Sequence, residues 1–137
     1  KPRLYPGIPE LLKRLKDKGY RTAILSDKRE AFGVAEFAFS KLGDTVDRAL
    51  FFTDGMDPKP DPSGLQDMMG FLEVAPSETL FVGDSHRDIE CAKRAGAWSG
   101  AALWASVEPD LVLALKPDLK WETVDDVGVT LDLRRTG

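Results

Sequence analysis

Three short stretches of this 137-residue sequence set chemistry-bearing side chains directly behind apolar runs. Ser26-Asp27 follows Thr22-Ala23-Ile24-Leu25. Lys59 stands in Asp57-Pro58-Lys59-Pro60-Asp61-Pro62, downstream of Ala49-Leu50-Phe51-Phe52. Gly83-Asp84-Ser85, with Asp88, follows Leu80-Phe81-Val82. A hydroxyl, an ammonium and two carboxylates at one place suit a phosphate group with a divalent ion. Ser26 would donate to a phosphoryl oxygen and Lys59 would neutralise phosphate charge. Asp84 would offer an oxygen to Mg²⁺, which keeps several waters and needs only one or two protein carboxylates. Asp84 and Asp88 are four residues apart at a helix start, so both can face one site and gain from the helix dipole. Each residue also has a plain structural reading. Asp84 or Ser85 can be an N-cap, Asp88 a first-turn acid, Lys59 a solvated loop lysine and Ser26 a turn residue.

The periodicity says what must hold these groups. Ile8, Leu11, Leu12 and Leu15 repeat at helical spacing, predicting a helix over Pro9 to Lys18 that Gly19 stops. Buried strands are predicted at Thr22–Leu25, Ala49–Phe52 and Leu80–Val82. A helix is expected from about Arg29 to Leu42, and a Gly/Asp/Pro-rich loop from Thr53 to Pro62. A further helix, capped by Asp61 with Pro62 in its first position, carries Leu65, Met68, Met69 and Leu72 inward. The next runs from about Arg87 to Arg94 and ends at Gly96. Strands near Gly100–Trp104 and Leu119–Trp121, with a helix near Pro109–Lys116 between them, complete the pattern. Strands alternating with helices indicate right-handed βαβ crossovers. The predicted fold class is α/β, a doubly wound parallel sheet in one domain, with ligands at the carboxyl ends of the strands.

In this order, strand-Ser26, Lys59-Pro60 and Gly83-Asp84-Ser85-x-x-Asp88 resemble motifs II, III and IV of the haloacid dehalogenase-like superfamily. Leu4-Tyr5-Pro6-Gly7-Ile8-Pro9-Glu10-Leu11-Leu12 and Phe81-Val82-Gly83-Asp84-Ser85 resemble its phosphoglycolate phosphatase-like branch. The resemblance covers about Leu4 to Val127. It implies a Mg²⁺-dependent phosphomonoester hydrolase acting on a small phosphorylated metabolite. Ser26 would bind the transferring phosphoryl group, Lys59 would balance its charge, Asp84 would hold Mg²⁺ and Asp88 would support that metal site. Asp27 departs from the pattern, in which Asn or Gly is commoner. A carboxylate beside bound phosphate costs affinity unless paired, for instance with Lys28 or Arg29.

The family's motif I, Asp-x-Asp-x-Thr on a central first strand, supplies the aspartyl nucleophile, and nothing upstream of Ser26 matches it. Without that nucleophile no aspartyl-phosphate forms. Three explanations stand side by side. A motif I strand, and a cap that sets specificity, precede Lys1 in a longer protein, or a partner chain completes the sheet. Alternatively the chain is a non-catalytic module with a structural or protein-binding role. The third uses Asp132-x-Arg134-x-Thr136, a partial permuted echo of motif I that also reads as a polar frayed terminus. A receiver- or flavodoxin-like switch shares the fold class but requires an acidic cluster at its first strand end, which this sequence does not have.

Composition narrows the field further. Lys and Arg number 19 against 23 Asp and Glu, a net charge of −4, which argues against a nucleic-acid-coating surface. One cysteine, Cys91, excludes an internal disulfide or a Cys-cluster zinc site, and Cys91 reads as packing. One histidine, His86, excludes most His-built metal sites and reads as a helix-start or site-rim residue. Trp98, Trp104 and Trp121 fall on different elements, as core or interface anchors do. No apolar run approaches the ~20 residues of a membrane span, and no signal peptide is visible. A soluble, cytoplasmic protein is the expectation.

Overall fold

The computed structural model describes residues 7–29, 48–52 and 58–131. The chain divides into two compact units, residues 1–56 with 124–137, and residues 57–123.

In the first unit, helix α1 spans Ile8–Asp17 and packs on helix α5, Val124–Thr130. Leu11 is buried from α1, and Val124 and Val127 from α5. The sequence pattern did not predict α5. Val and Thr are weak helix formers and a Gly interrupts it, so the helix rests on burying that face rather than on propensity. Strands β1, Ala23–Arg29, and β2, Arg48–Phe52, pair in parallel, in register from Ala23↔Arg48 to Ser26↔Phe51, with an irregularity between Ser26 and Arg29. Ser26 and Asp27 therefore lie within β1 rather than beyond its end, and Arg29 is a strand residue rather than a helix start. Most of the helix expected over 29–42, residues 53–57 of the loop, and the Asp132-x-Arg134-x-Thr136 tail lie outside the described residues.

The second unit is a helix-covered parallel sheet. Helix α2, Ser63–Leu72, buries Leu65, Met68, Met69 and Leu72, as their spacing predicts. Pro62 is its N-cap rather than its first residue, and the Asp61 carboxylate accepts from the Ser63 N–H at 2.9 Å. Strands β3 (Leu80–Gly83), β4 (Trp98–Ala102) and β5 (Leu119–Trp121) run parallel in that order. Helix α3, His86–Ala95, links the first two strands, and α4, Pro109–Ala114, links the second pair. Each connection is a βαβ crossover. The core is Ile89 from α3, Ala101 from β4 and Val112 from α4, all fully buried, with Leu103 and Leu115 packed against them. β4 starts and stops earlier than predicted because Trp98 pairs with Leu80 and Ala102 with Trp121, after which a 3₁₀ turn takes Leu103–Ala105. Trp121 is core, whereas Trp98 lies half open on the surface, its indole N–H donating to the Ser77 carbonyl at 3.0 Å. Cys91 is fully buried. Among the described residues no helix is long and apolar enough to cross a membrane.

One polar clasp joins β4 to the start of β5. Buried Ser99 donates its N–H (2.8 Å) and its hydroxyl (3.1 Å) to the Asp118 carboxylate, and the hydroxyl accepts from the Asp118 N–H at 3.0 Å. The Ser99 N–H, above all, holds the Asp118 pKa below the ordinary value of 3.8, with partial burial opposing it. A depressed folded pKa contributes stability that is present above the unfolded value and lost as pH falls through the folded one. The stability gap between the wild type and Asp118→Asn, read from urea midpoints, should therefore be constant from pH 7 to about pH 5 and shrink below about pH 4. A gap unchanged at pH 3 would rule the clasp out as an ionised contact.

Candidate functional site

The turn after β3 is built around one carboxylate. Ser85 is the N-cap of α3 and Asp88 its third residue, and the two form a reciprocal capping box. The Ser85 hydroxyl accepts from the Asp88 N–H at 3.3 Å, and Asp88 Oδ2 accepts from the Ser85 N–H at 3.1 Å. The plain reading of these two residues is thus realised, and Asp88 does more besides. Its Oδ2 also accepts from the Asp84 N–H (3.0 Å) and the Ser85 hydroxyl (3.3 Å). Its Oδ1 receives the Lys59 ammonium at 2.5 Å, with both side chains largely buried. Lys59 Nζ also lies 5.4 Å from the centre of the Phe81 ring, within reach of a cation–π attraction. Both Asp88 oxygens are therefore occupied by donors of the protein itself.

Gly83 permits this closeness. A Cβ at that position would stand 2.2 Å from the Asp88 Cβ and 2.3 Å from its Oδ2. At the other end of α3, Gly96 adopts φ 78°, the left-handed cap that its place in the sequence predicts.

Asp84 differs from Asp88. It is exposed, and among the described residues its carboxylate takes no other side chain as a hydrogen-bond partner. Protein packed around the carboxyl, and next the charge of Asp88, hold its pKa above the ordinary value. The residue's own backbone N–H, and after it Lys59, act in the opposite direction, and Glu108 adds a smaller upward push. A carboxylate beside the charges of Asp88 and Glu108, with no other side chain donating to it among the described residues, is chemically suited to a hard cation. Among the described residues no group of three or more His, Cys, Asp or Glu side chains is arranged as a metal cage.

A residue that sequence reasoning missed completes the turn. Glu108, the N-cap of α4, accepts from the His86 N–H at 2.7 Å and pairs with His86 Nδ1 at 2.5 Å, both through Oε2. These two bonds, the backbone one first, hold the Glu108 pKa below the ordinary range. The consecutive N–H groups of Asp84, Ser85 and His86 thus all end on carboxylates of the chain. An acid before Pro109 carries no local signal beyond that of a helix start, so only the fold reveals its partner. Of the residues singled out from sequence, Lys59, Asp84 and Asp88 come together. The side chains of Ser26 and Asp27, in β1, lie outside the described ones.

The family model described as haloacid dehalogenase-like hydrolase matches residues 1–102. The chain is 31% identical over 123 residues to pyrophosphatase PpaX of Bacillus cereus, an alignment covering 90% of this chain and 57% of that protein. It is 33% identical over 120 residues to the phosphoglycolate phosphatase of Aquifex aeolicus, covering 84% of this chain and 56% of the relative. The crystal structure of a predicted phosphoglycolate phosphatase from Haemophilus somnus superposes with a TM-score of 0.82 at 26% identity, over 93% of this chain and 57% of that one. The chain thus spans a little over half the length of these relatives.

Proposed function

Because the chain belongs to the haloacid dehalogenase-like hydrolase family, we propose that it is the part of a Mg²⁺-dependent phosphatase core that binds metal and phosphate, acting on a small phosphorylated metabolite. The observation that carries this reading is the joining of Lys59 to Asp84 through Asp88: a fixed ammonium and an open carboxylate at one end of β3. Asp84 would hold the ion. Asp88, with both oxygens engaged, would support it by fixing the Asp84 backbone and Lys59 rather than by direct ligation. When bound, Mg²⁺ would polarise a phosphoryl oxygen and offset its charge. Lys59 would meet the phosphate from a position set by Asp88, and Ser26, on motif order, would donate to a phosphoryl oxygen. Because the N–H groups of Asp84, Ser85 and His86, the turn that leads into α3, already end on carboxylates, phosphate recognition in this reading falls to side chains and the ion. The relatives named phosphoglycolate phosphatase and pyrophosphatase support the substrate class.

Titration of MgCl₂ against the thermal midpoint tests the reading. The wild type should gain about 2.7 kcal/mol when Mg²⁺ exceeds its Kd a hundredfold, and Asp84→Asn should lose most of that gain. Inorganic phosphate should raise the midpoint further when Mg²⁺ is present. A wild-type midpoint indifferent to millimolar Mg²⁺ would reject the metal site, and one indifferent to phosphate would reject the substrate class.

A further inference from the structure

We infer that Glu108 is a positioning residue for the Asp84 carboxylate, setting the turn that presents it; the inference rests on the assignment of Asp84 to the cation. The turn Asp84-Ser85-His86 is gripped from two sides. Asp88 holds the first two N–H groups from within α3. Glu108 holds the third from the start of α4, 22 residues further along the chain than His86. The grip is double, since one oxygen, Oε2, takes both the His86 N–H at 2.7 Å and Nδ1 at 2.5 Å. An ionised carboxylate only accepts, so Nδ1 of the ring is the donor of this bond. Backbone and ring of His86 are thereby tied to one atom, which removes the rotation that would let the turn swing away from β3. Glu108 is itself seated. Its N–H donates to the Ser106 hydroxyl at 3.2 Å, its carbonyl accepts from the Val112 N–H at 3.1 Å, and Val112 is in the core cluster. The connection from core to Asp84 therefore runs through α4 as well as α3. Outer contacts of this kind orient a ligand without touching the ion, and their loss typically weakens metal binding by about ten- to a hundredfold.

The test compares wild type, Glu108→Ala, Glu108→Gln and Asp84→Asn by calorimetric titration with MgCl₂ alone, with amide exchange at His86 as a second readout. Glu108→Ala should speed His86 exchange and weaken Mg²⁺ binding about tenfold or more. Glu108→Gln should restore most of both, since a single amide oxygen can take the place of Oε2 without the charge. Wild-type affinity retained in Glu108→Ala would overturn the inference, as would a glutamine variant as weak as the alanine one, which would mean that charge rather than placement matters. If the wild type binds Mg²⁺ and Asp84→Asn binds equally well, the Asp84 assignment itself falls. A wild type without Mg²⁺ binding overturns both.

Discussion

Asp88→Ala should cost the fold about 3–5 kcal/mol, the range seen when one member of a buried ion pair is removed. The Lys59 ammonium, whose side chain is only 13% exposed, would lose its counter-charge, and the N–H groups of Asp84 and Ser85 would lose their acceptor. Asp88→Asn should be nearly as costly. Oδ1 and Oδ2 both face donors, so the amide nitrogen must oppose one set whichever way it turns. Combining Asp88→Ala with Lys59→Met should recover part of the loss, because no unpaired charge then remains, giving a clear coupling in a double-mutant cycle. Urea unfolding of the four proteins measures this. A loss in Asp88→Ala below about 1 kcal/mol, the scale of an exposed pair, would show that the pair is effectively solvated.

Gly83→Ala should be destabilising by about 3 kcal/mol, at the upper end of overpacking costs, because the added methyl meets atoms that cannot withdraw. The Asp88 Cβ, 2.2 Å from the new carbon, belongs to the first turn of α3, and the carboxylate behind it is fixed by donors on both oxygens. Relief would require moving the turn that carries Asp84, so Mg²⁺ affinity should fall together with stability. Gly70→Ala is the matched control. Nothing lies within 4 Å of a Cβ there, and the position is inside α2, so alanine should stabilise by about 0.5–1 kcal/mol. A Gly83→Ala protein as stable as wild type would mean that the turn yields more easily than its hydrogen bonds indicate.

The two effects mark where sequence reasoning reaches its limit. Elements whose signals are local were legible in advance. Helix α3 lies between a Ser85 cap and a Gly96 stop, α2 buries an apolar stripe, and β3 is an apolar run ending at Gly83. Caps and periodicity act over a few residues, so their physics is written in adjacent letters. The residue types of the site, Lys59, Asp84 and Asp88, were legible for the same reason, as was the resemblance that gave them roles. What the letters left open was which of two like carboxylates is occupied. Asp88 is filled by Lys59 from 29 residues away, whereas among the described residues no other side chain donates to Asp84. Likewise Glu108 reaches His86 across 22 residues, β4 takes its ends from pairing with β3 and β5, and α5 exists because α1 covers it. Each of these depends on a partner brought near by the fold. A side chain's residue type states which bonds it can make, and only tertiary structure decides which of them are already made.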